Sequence, residues 1–186
     1  MHISGSPGAG KTTLCLGIVS DTISNGGRAI WACRKMPDSD RFREILQDID
    51  EQGLLSISIL NFSTDFAGNL AFIITETEDF GRDDVVIVDD WCESHGRARK
   101  DDVDAAKKLS LIAHKTKLII TSSSYEDASG FSESGWLTRG GAQIESSYET
   151  FLLLEHPRKD GIRIFSGEGI VILAKMTSKG LEELVS

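Results

Sequence analysis

The first residues that could do chemistry form a glycine-rich run at positions 5–12, GSPGAGKT. The run fits the pattern G-x-x-x-x-G-K-[ST], in which backbone N–H groups at a helix N-terminus surround phosphate oxygens. Lys11 would reach the β- and γ-phosphates, the Thr12 hydroxyl is a ligand for Mg²⁺, and Thr13 offers a second hydroxyl to the α-phosphate. The run predicts binding of a nucleoside triphosphate, ATP with Mg²⁺. The predicted phosphate-binding residues are Gly5, Ser6, Pro7, Gly8, Ala9, Gly10, Lys11, Thr12 and Thr13.

Two adjacent carboxylates form the second candidate group. Asp89 and Asp90 follow the β-branched run 85–88, which is typical of a central parallel strand buried on both faces. Ligands of open α/β sheets bind at the carboxyl ends of such strands, where Asp89 could hold Mg²⁺ through water. Asp90 could orient or deprotonate an attacking water, or it could simply cap the loop.

These groups must be positioned by a sheet, and apolar segments alternate with helical patterns in the order typical of a mainly parallel one. The predicted strands cover residues 1–4, 28–33, 55–62, 85–88 and 118–121. The predicted helices cover residues 12–25, 39–52, 65–80 and 101–116. A Gly/Ser-rich stretch at 122–141 precedes extended segments near 148–155, 162–165 and 170–176, which predict a C-terminal antiparallel meander.

Composition limits the alternatives. A length of 186 residues fits a single domain, 1–186. The formal net charge of -9 gives no overall attraction to nucleic acid or anionic membranes, so any polyanion site must be local. Three widely spaced cysteines disfavour a disulfide framework or a zinc site, and the apolar runs are too short to span a bilayer. We therefore expect a cytoplasmic protein.

The sequence resembles RecA-like ATPases of the RadA and KaiC branch from residue 1 to about residue 184. The segments that carry the resemblance are GSPGAGKTTL, GGRAIWACRKMPDSDRFREIL, VVIVDD, KLIITSSS, RGGAQIESSYETFLLL and AKMTSKG. The first and third contain the Walker A and Walker B motifs, which alone are specific. The resemblance implies a RecA-like P-loop NTPase fold, α/β, with a mainly parallel central sheet flanked by helices.

The resemblance also implies catalytic residues, two of which differ here. The family's water-polarising glutamate is missing from the corresponding stretch, 32–36. Serines, Ser122 and Ser123, replace the usual amide that senses the γ-phosphate. Both differences favour weak or partner-dependent hydrolysis unless Asp90 replaces the glutamate. Lys175 matches a family segment that reaches a neighbouring subunit's nucleotide, although an exposed strand lysine is the simpler interpretation.

RecA-like recombinases bind DNA with the loops after their fourth and fifth strands, so the resemblance implies the same role for the matching loops here. The first, 91–100, contains three cations, and the second, 122–141, combines aromatic rings with one cation, a combination suited to single-stranded nucleic acid. Glu126, Asp127 and Glu133 oppose such binding, and mobile active-site loops or partner-docking surfaces are the alternative. The candidate loop residues are Arg97, Arg99, Lys100, Phe131, Trp136 and Arg139.

Three functions remain open. The first is an ATP-binding RecA-like core with weak or partner-stimulated hydrolysis, an accessory or regulatory factor in DNA recombination or repair. Its partners would be single-stranded DNA, a recombinase or repair protein, or further copies of itself. The second is a P-loop small-molecule kinase, although no arginine-rich lid is evident. The third is a non-hydrolysing protein that needs ATP only to stabilise an oligomer.

Overall fold

The computed structural model describes residues 1–130, 132 and 134–184. Its strands are β1 (His2–Gly5), β2 (Ala29–Cys33), β3 (Ile57–Asn61), β4 (Val85–Asp89), β5 (Lys117–Ser123), β6 (Tyr125–Glu126), β7 (Trp136–Leu137), β8 (Thr150–Glu155), β9 (Ile162–Gly167), β10 (Ile170–Thr177) and β11 (Gly180–Glu183). Its α-helices are α1 (Lys11–Ser24), α2 (Ser39–Ile45), α3 (Glu51–Leu54), α4 (Phe66–Glu76), α5 (Lys100–Leu109) and α6 (Ala142–Glu145). A 3₁₀ segment, Ser110–His114, follows α5.

One large sheet organises the chain. Its strand order is β11-β10-β9-β8-β1-β5-β4-β2-β3. Strands β3, β2, β4, β5, β1 and β8 run parallel to their neighbours, and β8 to β11 form an antiparallel meander. The predicted fold class is confirmed, and β8 belongs both to the parallel part of the sheet and to the meander.

The helices cover both faces of the parallel strands. Beneath α1, the side chains of Leu16, Trp31 and Ile87 belong to one buried apolar cluster. On the other face, Phe66 of α4 and Leu109 of α5 pack in a second cluster with strand residues. Every residue of β2 and of β4 is buried, as expected of central strands covered on both sides.

The prediction of one continuous helix over 39–52 is wrong. The structure ends α2 at Ile45 and begins α3 at Glu51. The Asp50 carboxylate accepts a hydrogen bond from the Gly53 backbone N–H at 2.7 Å, and this capping contact starts a new helix. Gly53 therefore lies inside α3 instead of terminating the longer helix. Leu46 still packs against the α1 side of the sheet, so the apolar face was predicted correctly.

Two other regions differ in detail from the prediction. The helix expected over 101–116 is α5 followed by the 3₁₀ segment. The Gly/Ser-rich stretch contains a small antiparallel hairpin, β6–β7. Its strands are short and have no clear apolar pattern, so the sequence did not predict it. Within residues 1–130, 132 and 134–184, no helix combines the length and the apolar character needed to cross a membrane.

A buried histidine on β1 connects this strand with its two neighbours, β5 and β8. The His2 ring lies 2.9 Å from the Ser122 hydroxyl on β5 and 3.4 Å from the Thr150 hydroxyl on β8. Its side chain is fully buried. Burial lowers the pKa of His2 to about 3, with the nearby N-terminal amine as a smaller cause. His2 is therefore neutral in the native protein near neutral pH, because protonation would bury a charged imidazolium away from water.

The low pKa of His2 predicts an acid-dependent loss of stability. The unfolded chain takes up the proton near the ordinary pKa of 6.5, whereas the native state does so only near 3, so stability is present above 6.5 and decreases as the pH falls between these values. We expect the free energy of unfolding to decrease by up to about 1.4 kcal/mol per pH unit below 6.5. Urea unfolding at a series of pH values measures this slope. His2→Gln should remove it, whereas exposed His95→Gln should keep it; identical slopes in all three proteins would contradict the assignment.

Candidate nucleotide site

The strand order brings the two sequence motifs together. β5 lies between β1 and β4, and the carboxyl ends of these strands share one edge of the sheet. In the register, Gly5 at the end of β1 lies beside Ser123, and Asp89 lies beside Cys33 at the end of β2. The glycine-rich loop and the acidic pair thus form one site, although 77 residues separate Thr12 from Asp89.

Two positions of the loop require glycine. Gly10 has φ +100, and a Cβ there would lie 2.5 Å from the Met176 methyl carbon. A Cβ at Gly5 would lie 2.6 Å from the Leu153 carbonyl oxygen on β8. Both contacts are closer than van der Waals packing allows, and the positive φ of Gly10 is itself unfavourable for other residues. The loop therefore depends on its glycines for its path between α1, β8 and β10.

Contacts from distant segments hold the loop in place. The Ser124 N–H donates to the Gly5 carbonyl at 2.9 Å, directly after β5 ends. The Arg163 Nε on β9 donates to the Ala9 carbonyl at 2.9 Å, and its guanidinium pairs with Glu155 at 3.2 Å. These contacts fix the backbone on both sides of the loop before any ligand arrives.

The Asp89 carboxylate lies between two hydroxyl donors. The Thr12 Oγ1 donates to Asp89 Oδ2 at 2.9 Å, and the Thr121 Oγ1 on β5 donates to Asp89 Oδ1 at 2.8 Å. Burial, followed by the charge of Asp90, raises the pKa of Asp89 to about 6, and the two hydroxyls and Lys11 oppose this shift. The buried Lys11 ammonium donates to the Gly5 carbonyl at 3.3 Å. Sequence reasoning missed Thr121, whose only signal was its place at the end of a predicted strand.

Asp90 has an unusual backbone and a free carboxylate oxygen. Its φ is +56, in the left-handed region that non-glycine residues seldom adopt. The Asp90 N–H donates to Thr121 Oγ1 at 2.9 Å, and the Arg34 Nε donates to the Asp90 carbonyl at 3.1 Å. Its buried Oδ1 accepts no hydrogen bond within the described part of the chain. Burial raises the pKa of Asp90, while Lys11 and Arg34 act in the opposite direction.

Arg34 ties the loop after β4 to the end of β2. Besides Asp90, its guanidinium donates to the Trp91 carbonyl at 3.2 Å and pairs with Glu93 at 2.8 Å. It also lies 3.7 Å from the carboxylate of Asp102, which is fully buried in α5. Burial raises the pKa of Asp102, and nearby arginines lower it. Arg34 thus stabilises both the strained Asp90 backbone and a buried charge.

An open cavity of 320 Å³ lies beside these groups. It contains the Walker hydroxyls, the two Walker B carboxylates and two cations, Lys35 and Arg41. Lys35 stands in the stretch where the resembled family has its catalytic glutamate, and it was not a predicted site residue. The cavity is lined by Thr12, Thr13, Leu16, Lys35, Met36, Pro37, Asp38, Arg41, Asp89 and Asp90.

The two candidate γ-phosphate sensors point to opposite faces of β5. Ser122 bonds His2 and lies 3.4 Å from the Ser4 hydroxyl, on the face away from α1. Side chains alternate along a strand, so Ser123 shares the face of Thr121, which bonds Asp89. Ser123 is therefore the candidate that faces the phosphate loop. A third serine of the stretch, Ser124, has a buried hydroxyl without a hydrogen-bond partner among the described residues.

The candidate loop residues are not equivalent. Arg139 is buried, and its guanidinium donates to the carbonyls of Ser123, Ser94 and Gly96 and lies over the Tyr125 ring. Arg99 is exposed and donates to the Thr64 carbonyl at 3.2 Å. Three further candidates have these placements: Arg97 and Lys100 are exposed, and Trp136 is half-buried. Phe131 lies outside the described residues.

Lys175 lies exposed on β10, and its register partner on β11 is Glu182. Its neighbours Met176 and Thr177 contact this chain's own loop and helix instead. The Met176 side chain packs near Gly10, and the Thr177 carbonyl accepts from Arg41 at 2.6 Å. A role for Lys175 in a neighbouring subunit stays a prediction.

Comparison with solved structures shows which fold this is. A RadB recombinase matches with a TM-score of 0.73 and 18% identity, over 99% of this chain and 90% of that one. A KaiC-like protein from Pyrococcus horikoshii OT3 matches with a TM-score of 0.68 and 12% identity, over 99% of this chain and 88% of that one. A DnaB-like replicative helicase matches with a TM-score of 0.70 and 11% identity, over 99% of this chain but 57% of the helicase chain. The fold is RecA-like. No protein-family model and no curated protein matches the sequence.

The Arg34 network predicts a large effect of its removal on stability. Arg34→Ala removes the ion pair of the buried Asp102, whose charge Arg99 would still partly offset, and it frees the left-handed Asp90, so we expect the free energy of unfolding to fall by roughly 2–4 kcal/mol. Arg34→Lys keeps the charge but lacks the planar guanidinium, so its free energy of unfolding should lie between those of the wild-type protein and Arg34→Ala. Arg43→Ala breaks only an exposed pair with Asp40 and should cost less than about 0.5 kcal/mol. Chemical denaturation measures all three, and equal losses for Arg34→Ala and Arg43→Ala would contradict the network's importance.

Proposed function

We propose that this chain binds ATP with Mg²⁺ and hydrolyses it slowly or only with a partner. The observation that carries the proposal is the contact between Thr12 and Asp89, which joins the end of the glycine-rich loop to the end of a buried strand. A hydroxyl and a carboxylate at this place are the pair that holds Mg²⁺ beside nucleotide phosphates. The RecA-like fold supports the same assignment.

The residues present fit a magnesium ion. Both Asp89 oxygens accept hydroxyl hydrogen bonds, so the carboxylate is already oriented toward the loop. Its raised pKa reflects burial and a second carboxylate, and both conditions favour a cation nearby. Thr12 and Asp89 would hold the ion, which would supply positive charge that offsets part of the phosphate charge. The chain's own part is to hold the phosphates with Lys11 and the backbone N–H groups of the loop.

Asp90 is the carboxylate that we assign to the attacking water. It lines the cavity beside Asp89, and its Oδ1 has no hydrogen-bond partner among the described residues. Its raised pKa makes it a better proton acceptor than an ordinary aspartate. The glutamate of the resembled family is absent, and Asp90 is held to one backbone geometry by Arg34 and Thr121. We therefore propose low intrinsic turnover.

For the biological role, we propose an accessory or regulatory factor of the RadA and KaiC branch, acting in DNA recombination or repair. The likeness to a RadB recombinase and a KaiC-like protein supports the RecA-like fold that such a factor would have. Single-stranded DNA or a recombinase is the proposed partner, and self-assembly is the other. The exposed Arg97 and Lys100, with half-buried Trp136, would supply the DNA contacts. A cytoplasmic location stays a prediction from the cysteines.

The P-loop kinase and the non-hydrolysing oligomer remain alternatives. The cavity beside Asp89 opens to solvent and could admit a second small substrate, which favours the kinase. The missing glutamate favours the non-hydrolysing protein. The two differ in their product, because a kinase transfers the γ-phosphoryl group to a metabolite and the oligomer leaves it on ATP.

Lys11 provides the test of nucleotide binding. Because its ammonium is the loop's charged donor to the β- and γ-phosphates, we expect Lys11→Ala to show no measurable binding of Mg²⁺-ATP in isothermal titration calorimetry. The exposed Lys159→Ala should bind like the wild-type protein. Undiminished binding by Lys11→Ala, with its fold intact by circular dichroism, would place the nucleotide elsewhere.

Turnover provides the test of hydrolysis. We expect slow phosphate release from ATP by the wild-type protein, stimulated by single-stranded DNA, and a further decrease of 10²-fold or so in Asp90→Asn, which keeps the size but not the base. ATP affinity should change little. Transfer of phosphate to an added metabolite would establish the kinase, and turnover equal in Asp90→Asn and the wild-type protein would remove Asp90 from the mechanism.

A further inference from the structure

Lys35 is a cation in the stretch 32–36, which corresponds to the segment that holds an acid in the resembled family. We infer that its ammonium binds the γ-phosphate of the chain's own nucleotide, so that the site distinguishes a nucleoside triphosphate from a diphosphate. The inference rests on the proposed function, because it concerns the same nucleotide. It adds a specificity-determining residue that the phosphate loop motif does not contain.

The position of Lys35 follows from the sheet. β2 ends at Cys33, whose register partner is Asp89 on the neighbouring strand β4. Two residues later the chain leaves the sheet, and Lys35 lines the same cavity as Thr12, Asp89 and Asp90. The γ-phosphate is the part of the nucleotide that extends beyond the metal ligands, toward the residue that would act on it. Asp90, which we assigned to the water that attacks the γ-phosphate, lines this cavity too. A γ-phosphate held beside Asp90 would therefore lie in the same cavity as Lys35.

Lys35 also has its donors available. Within residues 1–130, 132 and 134–184, it makes no hydrogen bond and no ion pair, and its side chain is exposed to the cavity. The neighbouring cations are already engaged: Arg34 bonds the Asp90 loop, and Arg41 donates to the Thr177 carbonyl and pairs with Glu44. A lysine on a flexible four-carbon stem can follow a ligand oxygen without disturbing the fold.

The charges of the cavity favour this use. Asp38, Asp89 and Asp90 line it together with Arg41, which is already paired with Glu44, so Lys35 lowers the repulsion that the carboxylates exert on the γ-phosphate, the most negative part of the nucleotide. Lys35 offsets that repulsion for ATP, and ADP has no group at this place. A lysine cannot take a proton from water as a carboxylate does, so Lys35 would bind the γ-phosphate without acting as the catalytic base.

The experiment compares the affinity of each variant for two ligands. Isothermal titration calorimetry with the non-hydrolysable β,γ-imido analogue of ATP and with ADP, both with Mg²⁺, gives an affinity ratio for the wild-type protein, Lys35→Gln, Lys35→Arg and Lys35→Glu. We expect Lys35→Gln to lower the affinity for the analogue by roughly three- to tenfold and to leave the affinity for ADP unchanged. The loss is modest because the lysine is exposed. Lys35→Arg should keep the ratio. Lys35→Glu should weaken the analogue further through repulsion.

Different outcomes test the inference and the proposed function separately. Equal changes for both ligands, or no change in Lys35→Gln, would overturn the role of Lys35 while leaving nucleotide binding intact. Failure of the wild-type protein to bind either ligand would overturn the proposed function itself. The matched control is Lys117→Gln, an exposed lysine at the opposite end of β5, which should leave both affinities unchanged.

Discussion

The structure depends above all on the two hydroxyl hydrogen bonds to Asp89. A carboxylate that is almost fully buried costs free energy unless donors replace the water it has lost. Thr12 and Thr121 supply those donors from α1 and β5, and they thereby connect the phosphate loop, the central strand and the strand between them. The compensation is partial, since burial still raises the pKa of Asp89 to about 6. The remaining cost is the condition that makes the site favourable for a cation.

The end of β2 divides two tasks between adjacent cations. Arg34 turns toward the loop after β4, where it holds the left-handed Asp90 and approaches the buried Asp102. Lys35 turns into the cavity and stays without a bond in the described chain. Opposite directions are what successive residues leaving a strand would have. A segment that could have carried a catalytic acid instead supplies a structural anchor and a free positive charge, an arrangement suited to holding phosphate.

The sequence predicted those features that depend on short stretches of chain. The loop at 5–12, the buried run before Asp89 and the alternation of strands and helices are each visible within a few residues, and the structure has the predicted fold class. The break between α2 and α3 was missed because the apolar spacing continues through it, while the decisive contact is one Asp50 hydrogen bond. The roles of Thr121 and Arg163 were missed because they follow from strand register and from contacts across most of the chain. The alternation of side chains along β5 separates Ser123 from Ser122, and the hydrogen bonds of Thr121 and Ser122 show which face is which.

Arg139 illustrates how folding can remove a candidate ligand contact. As a sequence feature it is a cation among aromatic residues, suited to nucleic acid. In the structure its guanidinium is buried and bound to three backbone carbonyls, two from the loop after β4 and one from the end of β5. A DNA phosphate could use Arg139 only by breaking those bonds and exposing the carbonyls, so it would gain little net free energy. Arg139 therefore stabilises the two loops against each other beside Ser123. A polyanionic partner attracted to these loops would rely on the exposed cations Arg97, Arg99 and Lys100, against a net charge of -9.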